Sequence, residues 1–261
     1  MRLEGIDEGK PFDWGKASED YAKYRDIYPP AFYEAITQMG IGLQGQQVLD
    51  LGTGTGVLPR HLAGQGAHFT GVDISPQQIE QAKRLSKAAG LCIRYLVCPA
   101  EEIDFAENSF DAVTACQCFF YFNHAVLLPK LYRMLKPGGR LGIFYMAWLP
   151  GESEIAAESE KLILRYNPNW SGRGEVRKPL AVPPEAEGLF VKEESKILDF
   201  SIPFTRKSWN GRIKACRGIG ASLPPEQVSR FEKEHLSLLD KIAPESFAIP
   251  HYAAMLILRA C

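Results

Sequence analysis

The sequence predicts an α/β protein with a doubly wound, Rossmann-like sheet and helices on both faces. Three observations lead to this fold class. Short apolar, β-rich runs alternate with amphipathic helical stretches from Gly45 to Leu149. A glycine-rich turn, from Gly52 to Gly56, follows the first run, and the second run ends in an acid, Asp73. At 261 residues, 46% of them hydrophobic, the chain is long enough to bury one large core.

The first half of the predicted sheet contains two pairs of a strand and a helix. The run "QQVLDL" predicts the first strand, and "VLPRHLAGQG" predicts the helix behind it, which Gly64 and Gly66 end. "AHFTGVDI" predicts the second strand. Ser75 is suited to cap the next helix, with Pro76 at its first position and Gly90 after its last turn.

The second half of this region repeats the alternation. "CIRYLVC" predicts a third strand, and "NSFDAVTACQ" leads into a fourth that is apolar after Asp111. "AVLLPKLYRML" predicts a helix that "KPGG" breaks, and "RLGIFYMAWL" predicts a fully buried fifth strand. Helical crossovers between consecutive strands are typical of a parallel sheet.

Three segments are expected along the chain, together forming one structural domain. Residues 1–44 predict an N-terminal helical cap broken at Pro29 and Pro30, and residues 45–149 predict the core that holds the glycine turn. Residues 150–261 are expected to complete the sheet with a C-terminal antiparallel strand pair, over "SKILDFSIPF" and "AAMLILRA". They also carry a helical insertion at 205–245, which is expected on the substrate side.

Composition and charge exclude several classes of function. The formal net charge of -1 gives no basic surplus for nucleic acid. The longest strongly apolar run, Leu141 to Leu149, is too short to span a membrane, and the first ten residues lack an apolar signal segment, so a cytoplasmic protein is expected. The six cysteines form no CxxC pair and have no histidine at ligand spacing, so no metal is expected.

The surroundings of the glycine turn indicate which ligand it holds. The turn closes as Gly56-Val57-Leu58 without the lysine of a triphosphate loop, and Val57 stands where a dinucleotide fingerprint has its third glycine. Asp50 would repel a pyrophosphate and would suit a cationic amine or sulfonium. Asp73 is placed to accept both hydroxyls of a ribose. An adenosine without phosphates is therefore the expected ligand.

Four segments, "VLDLGTGTG", "GVDIS", "NSFDAV" and "LKPGGRLGI", occur in this order and resemble the class I S-adenosylmethionine-dependent methyltransferases. The resemblance covers roughly residues 45–149 and is closest to the small-molecule branch (methyltransferase type 11), which includes the ubiquinone and menaquinone methyltransferases. It implies S-adenosylmethionine as cofactor and S-adenosylhomocysteine as product. It makes residues 45–149 the cofactor-binding core.

The resemblance also implies a set of cofactor-binding residues. They would hold the methionine part (Asp50, Gly52, Thr53, Gly54, Gly56), the ribose (Asp73), the adenine (Ile74, Ala100, Glu101) and the sulfonium (Cys116, Gln117). Tyr21 and Arg25 are similar to a segment that covers the cofactor in this branch. Pro99 stands where the family usually has an aspartate, and it cannot accept a hydrogen bond from the adenine amino group. For Glu101, the start of a solvated helix is an equal alternative.

Methyl transfer from a sulfonium is an in-line displacement, and positioning of the acceptor can supply most of the catalysis. The candidates for a general base, should the acceptor need one, are Tyr121 and His124. His61, His68, His235 and His251 have no partner spacing and are expected to be structural. The aromatic stretch from Phe119 to Phe122 is expected to pack in the core or to line an acceptor pocket, with Phe119 and Tyr121 as the candidates for binding the acceptor.

Residues 161–217 contain 12 Lys and Arg against 6 Asp and Glu. This surplus of 6 positive charges is compatible with an anionic small-molecule acceptor, and a solvated basic face is the alternative. The candidates for binding the acceptor in this segment are Trp170, Trp209, Arg212 and Arg217.

Two other classes of function remain open. A non-catalytic S-adenosylmethionine-binding protein would keep the pocket without turnover, and Pro99 is the one residue that points that way. A nicotinamide-dependent oxidoreductase also uses a glycine turn and an acid after the second strand, but the missing third glycine argues against it.

Overall fold

The computed structural model describes residues 1–261 and contains eight α-helices and one sheet of seven strands. The strands are β1 (Gln47–Leu51), β2 (His68–Asp73), β3 (Arg94–Val97), β4 (Phe110–Cys116), β5 (Leu135–Trp148), β6 (Phe190–Thr205) and β7 (Ser246–Ala260). The helices are α1 (Ser18–Tyr24), α2 (Pro30–Gln38), α3 (Val57–Leu62), α4 (Pro76–Ala88), α5 (His124–Met134), α6 (Glu154–Tyr166), α7 (Arg206–Lys214) and α8 (Pro225–Ile242).

The strand order β3-β2-β1-β4-β5-β7-β6 confirms the doubly wound sheet. The parallel register pairs Leu51 of β1 with Val72 of β2 on one side and with Ala115 of β4 on the other. The chain therefore reverses its direction across the sheet between β1 and β4, and ligands bind at such a switch point, at the carboxyl ends of the strands. The expected C-terminal antiparallel strand pair is present.

The chain divides into two compact units, each made of three segments. The sheet unit comprises Tyr28–Met146, Lys178–Leu198 and Ala253–Cys261, and the helical unit comprises Met1–Ile27, Ala147–Arg177 and Asp199–Tyr252. The boundaries expected from the sequence, at residues 44 and 149, stay a prediction.

The sheet unit buries the apolar faces of β1, β4 and β5 against helices. Leu49, Val113 and Ile143 of the three strands lie in one core with Leu127 and Leu131 of α5. The predicted start of α4 is confirmed in detail, because the Ser75 hydroxyl accepts a hydrogen bond from the Gln78 amide at 3.3 Å and Pro76 is the first helical residue.

The helix ends before "KPGG", as predicted, but these four residues lie inside β5 instead of preceding it. β5 already begins at Leu135, which pairs with Phe110, and the next pair along β4 is Ala112 with Arg140. The four residues from Lys136 to Gly139 therefore stand opposite Asp111 alone, as a bulge inside the strand. Gly138, with φ of +72°, allows the backbone to turn there without a side-chain penalty.

The helical unit is held together around buried aromatic and polar side chains. Trp209 of α7 is fully buried, and its indole donates a hydrogen bond to the Ser159 hydroxyl of α6 at 2.9 Å. His235 of α8 lies 2.9 Å from the same hydroxyl and 2.8 Å from the Asn210 side chain. Burial lowers the pKa of His235 to about 3, so the ring is neutral. The insertion at 205–245 is helical, as predicted, and this network joins it to α6.

We predict that Gly56→Ala destabilises the fold by about 2–5 kcal/mol, because Gly56 has φ of +73° and an added Cβ would lie 2.2 Å from the Tyr95 hydroxyl. Gly90→Ala is the matched control, because Gly90 has φ of +67° with open space around it. It should cost about 1–2 kcal/mol from backbone strain alone. Urea unfolding measures both, and equal losses would contradict the steric explanation.

Candidate functional site

The glycine turn between β1 and α3 adopts the backbone that its sequence predicts. Gly52, Gly54 and Gly56 all have positive φ, of +55°, +56° and +73°. The turn also approaches its neighbours closely, since a Cβ on Gly52 would lie 2.7 Å from the Cys118 sulfur. The Thr53 amide donates to the Val72 carbonyl oxygen at 2.9 Å, which ties the turn to β2.

Asp73, at the end of β2, is held by two backbone amides. Its Oδ2 accepts from the Gly54 amide at 2.9 Å, and its Oδ1 accepts from the Ser75 amide at 2.8 Å. Burial raises the pKa of Asp73, and these two hydrogen bonds act in the opposite direction. The carboxylate is therefore fixed in orientation against the glycine turn.

Two exposed apolar side chains lie beside this carboxylate. Ile74 and Val97 are each 51% exposed, although both are large aliphatic residues, and Val97 pairs with Asp73 across β2 and β3. A carboxylate that can accept hydroxyl hydrogen bonds, next to aliphatic surface that can cover a flat ring, fits the ribose and base of an adenosine. The residues present therefore fit the cofactor that the sequence implies.

Asp50 lies near the end of β1, just before the turn, and only 2% of its surface is exposed. Burial raises its pKa to about 7, and the hydrogen bond from Thr114 acts in the opposite direction. The Thr114 hydroxyl of β4 donates to Asp50 Oδ1 at 2.6 Å. Asp50 is thus close to half-protonated at neutral pH, and its contact with the cofactor amine stays a prediction.

The residues at the end of β4, Cys116 to Cys118, hold this end of the strand close to the glycine turn. Gln117 has φ of +69°, a left-handed backbone that is uncommon outside glycine, and its side-chain amide donates to the Met146 carbonyl oxygen at 2.5 Å. The Cys118 thiol donates to the Leu51 carbonyl oxygen at 3.1 Å, and the Cys116 sulfur lies 3.5 Å from the Tyr28 hydroxyl. Strain of this kind is often found at functional sites.

Comparison with known proteins agrees with this geometry. The sequence model of a family described as a methyltransferase domain matches residues 49–143, which include most of β1, the glycine turn and most of β5. Residues 49–143 therefore match a methyltransferase-domain family, in agreement with the resemblance to the class I S-adenosylmethionine-dependent methyltransferases. The cofactor expected from this match is S-adenosylmethionine, and the glycine turn and Asp73 fit its adenosine part.

Two curated relatives illustrate the match. Over 132 residues the chain is 36% identical to an uncharacterized methyltransferase of Mycobacterium tuberculosis, covering 51% of each chain. Over 101 residues it is 43% identical to a ubiquinone/menaquinone biosynthesis C-methyltransferase of Desulfotalea psychrophila, covering 36% of this chain and 39% of the relative. The chain thus spans about half, or less, of the length of these relatives.

Two solved structures share the fold. A Bacillus halodurans protein described as a methyltransferase has a TM-score of 0.54 at 18% identity, covering 88% of this chain and 98% of its own. The cyclase SpnF has a TM-score of 0.51 at 19% identity, covering 88% and 80%. Because a cyclase shares the fold, the fold alone does not assign methyl transfer.

The segment after β3 gives Glu101 a structural contact inside the methyltransferase domain. Glu101 Oε1 accepts from the Asn123 amide at 2.8 Å, just before α5, and the Lys130 ammonium donates to the Glu101 carbonyl oxygen at 2.6 Å. Ala100 is buried at the start of the short helix Ala100–Glu102, directly after Pro99. Their contacts with adenine stay predictions.

The two candidate bases follow β4. His124 Nε2 lies 2.9 Å from the Phe119 carbonyl oxygen, and because a carbonyl only accepts, this nitrogen carries the hydrogen. Only Nδ1 of His124 is left to take a proton. The Tyr121 ring packs on Phe120, with the ring centroids 4.3 Å apart. Phe119 is buried in the core of the sheet unit, which favours the packing role of the two expected from the sequence.

The remaining candidates lie in the helical unit. The Arg25 guanidinium lies over the Tyr21 ring, 4.5 Å from its centroid, and their role in covering the cofactor stays a prediction. Trp170 and Trp209 are buried in the core of that unit, which gives both a packing role. Arg212 lies over the ring of Trp148, 4.9 Å from the centroid.

Arg217, a candidate for binding the acceptor, is instead held in a buried ion pair. Its Nε donates to Asp7 Oδ2 at 2.8 Å, and its Nη2 donates to the Ser171 hydroxyl at 2.9 Å. The Ser171 amide also donates to Asp7, at 2.7 Å. The charge of Arg217 is thus neutralised inside the protein, which is why the structure assigns it a structural role.

Sequence reasoning missed Cys118 as a part of the site. Its thiol fills the space where a side chain on Gly52 would lie, and burial raises its pKa well above the usual range, so it is an unreactive packing group. The alternation Cys-Gln-Cys at the end of β4 was the available signal. No group of three or more metal-ligating side chains is placed to hold a metal ion, and no helix is long and apolar enough to cross a membrane.

We predict that the free energy of unfolding falls by up to about 4 kcal/mol as the pH rises from about 4 to about 7. The reason is that Asp50 binds its proton more tightly in the folded protein than in the unfolded chain. Asp50→Asn should reduce this decline and leave the part that the raised pKa of Asp73 contributes; urea unfolding at pH 5 and pH 8 measures the decline in both proteins. Asp111→Asn is the control. The pKa of Asp111 is lowered, because hydrogen bonds from Lys136 and the Gln47 amide outweigh the effect of burial. Asp111→Asn should therefore lower the free energy of unfolding at pH 8. A decline of equal size in wild type and in Asp50→Asn would contradict the assignment.

Proposed function

We propose that the protein transfers a methyl group from S-adenosylmethionine to a small-molecule acceptor by in-line displacement. The observation that carries this proposal is the Asp73 carboxylate, fixed by the Gly54 and Ser75 amides beside the exposed Ile74. This arrangement offers hydrogen-bond acceptors for ribose hydroxyls and an apolar surface for adenine, without a lysine for phosphates.

When bound, S-adenosylmethionine supplies an electrophilic methyl group on its sulfonium. The chain's residues then need to bind, orient and exclude water. Asp73 would hold the ribose, the glycine turn would lie along the methionine part, and Gln117 would stand at the reacting end of the cofactor. Anchoring of Gln117 to Met146 and Phe144 keeps that backbone rigid, which favours a defined approach of the acceptor.

Tyr121 and His124 are the candidate bases of the sheet unit. His124 uses Nε2 in a hydrogen bond to a carbonyl, which leaves one ring nitrogen, and the methyl group is transferred without a base when the acceptor is already ionised. An acceptor with a low pKa, such as a carboxylate or an acidic phenol, therefore suits this site.

A small acceptor is supported by the similarity to a ubiquinone/menaquinone C-methyltransferase. An anionic acceptor is supported by the surplus of 6 positive charges over residues 161–217, 12 basic against 6 acidic. A nucleic-acid acceptor has no such support, because the net charge of the chain is -1.

The alternatives keep the same fold with a different outcome. A non-catalytic binder would bind S-adenosylmethionine without turnover. The cyclase SpnF, which has the same fold, is named for a reaction other than methyl transfer, so the fold does not exclude this alternative. A nicotinamide-dependent oxidoreductase is disfavoured, because Val57, and not a third glycine, begins α3.

We predict that calorimetry will detect micromolar binding of S-adenosylmethionine and S-adenosylhomocysteine, and no binding of NADH. Asp73→Ala should weaken both about 100-fold, through loss of two hydrogen bonds to a charged group. Asp111→Ala is the matched control, since Asp111 lies at the other end of β4 and bonds to Lys136 and Gln47. Failure of either sulfur ligand to bind folded wild-type protein would refute the cofactor.

Turnover separates an enzyme from a binder. S-adenosylhomocysteine formation should appear only when an acceptor is present, in a panel of small carboxylates, phenols and quinone precursors. Tight cofactor binding with no product across the whole panel would favour the non-catalytic alternative.

A further inference from the structure

We propose that a surface pocket beside α4 binds a small phosphate monoester, separately from the cofactor. The pocket has a volume of about 370 Å³, which is in the range of small-molecule sites. It lies wholly within the sheet unit. We call it the Lys83–Lys87 pocket, and its defining residues come from α4 (Lys83, Ser86, Lys87), the segment after α4 (Leu91, Ile93) and β3 (Tyr95).

The two lysines give the pocket its charge. Lys83 and Lys87 are four residues apart on α4, so their side chains lie on one face of the helix. No acidic side chain lines the pocket, and neither ammonium group takes part in an ion pair. The carbonyl end of α4 carries about half a negative charge, which two full positive charges outweigh. The pocket therefore favours an anion, and one with more than a single charge.

A pair of buried hydroxyl groups adds a hydrogen-bond donor. The Ser86 and Tyr95 oxygens lie 2.9 Å apart, and the two residues are only 3% and 7% exposed. Burial raises the pKa of Tyr95 to about 12, so its hydroxyl keeps its hydrogen at neutral pH.

The bond between Ser86 and Tyr95 uses only one of the two hydroxyl hydrogens. Because neither oxygen has another partner in the protein, the second hydrogen is left for a ligand. Buried hydrogen-bonding groups are nearly always paired, so a spare donor in a pocket wall indicates a missing partner.

This set of donors matches a phosphate monoester. At neutral pH such a group carries close to two negative charges and has three terminal oxygens that accept hydrogen bonds. Two ammonium groups and one hydroxyl supply two charges and a donor for each oxygen, and lysine binds phosphate as a point charge. A carboxylate has one charge and two oxygens, so it would leave part of the set unused.

The remaining wall of the pocket is apolar. Leu91 and Ile93 are half-buried, and Tyr95 adds its ring beside them. Such a surface favours a compact apolar group attached to the phosphate, because covering it removes apolar area from water. The wall therefore distinguishes an organic phosphate from inorganic phosphate.

Tyr95 contacts both the pocket and the glycine turn. A Cβ on Gly56 would lie 2.2 Å from the Tyr95 hydroxyl, and a Cβ on Gly71 would lie 2.8 Å from its ring. The Tyr95 side chain thus occupies the space beside the turn. A ligand bonded to the hydroxyl pair would meet a residue that packs against the turn, without taking the place of the cofactor.

The test is calorimetry with phenyl phosphate, compared with inorganic phosphate and with phenol. Phenyl phosphate should bind wild-type protein with a Kd of about 1 mM or lower. Inorganic phosphate lacks the apolar group and phenol lacks the charge, so each should bind at least about tenfold more weakly. Absence of phenyl phosphate binding to folded wild-type protein would overturn the proposal.

Charge variants on α4 test the two lysines. Lys83→Gln and Lys87→Gln should each weaken phenyl phosphate binding by about three- to tenfold, and both lysines are exposed, so the variants should fold. Arg84→Gln is the matched control. It removes the same charge from the same helix, but Arg84 bonds to Gln81 and does not line the pocket, so binding should not change. Equal weakening in Lys87→Gln and Arg84→Gln would refute the site.

Hydroxyl variants test the spare donor. Ser86→Ala and Tyr95→Phe each leave one hydroxyl, whose hydrogen is then free, so each should bind phenyl phosphate within about threefold of wild type. The double variant has no hydroxyl and should bind about tenfold more weakly. Thermal unfolding checks each variant, and the lysine variants decide the question if the double variant does not fold. A folded double variant that binds as tightly as wild type would contradict the proposed contact.

Cys92 provides a readout that locates the ligand. Its thiol is exposed and lines the pocket, whereas the exposed Cys261 lies outside it and is the internal control. Saturating phenyl phosphate should slow the alkylation of Cys92 by iodoacetamide and leave that of Cys261 unchanged, as followed by mass spectrometry. Binding without protection of Cys92 would place the ligand elsewhere and overturn the proposal.

Binding of S-adenosylhomocysteine to the same samples separates this proposal from the function proposed above. The two ligands should bind independently, and full competition between them would place phenyl phosphate in the cofactor site and refute the separate pocket. If phenyl phosphate binds and protects Cys92 while S-adenosylhomocysteine does not bind, the pocket stands and the cofactor proposal fails.

Discussion

The close approach between the glycine turn and the end of β4 is the constraint on which the cofactor site depends. Gly52 has no room for a side chain because the Cys118 sulfur occupies that space, and the Cys118 thiol is bonded to the Leu51 carbonyl oxygen. With the turn fixed there, the Gly54 amide reaches Asp73 on β2. One contact at the switch point therefore positions both the turn and the acid that would hold the ribose.

Electrostatics at this site follow from burial. Asp50 and Asp73 both lie near the end of the sheet, and both have raised pKa values because water is excluded from them. Their hydrogen-bond partners differ, since Asp73 is bonded to backbone amides and Asp50 to a threonine hydroxyl. The closer an acid is to half-protonation at neutral pH, the more its charge depends on what binds nearby.

The helical unit contains two kinds of buried polar group. Asp7 and Arg217 neutralise each other, and Ser159 joins Trp209 and His235, so these groups are satisfied within the protein. His251 Nε2 has no such partner. The satisfied groups explain how α6, α7 and α8 stay together.

Local features of the sequence determined much of the fold and part of the site. The alternation of strands and helices, the Ser75 cap, the three glycines with positive φ and the acid after β2 all depend on nearby residues, because periodicity and backbone sterics act over a few positions.

Only the tertiary structure decided which polar groups meet. Arg217 pairs with Asp7, 210 residues away, and Thr114 bonds to Asp50 across two strands. His251, expected to be structural, is buried on β7 with its ring against Phe204 of β6. Neither the partner of a buried group nor its exclusion from water is written in its sequence neighbours, since both arise when distant segments pack together.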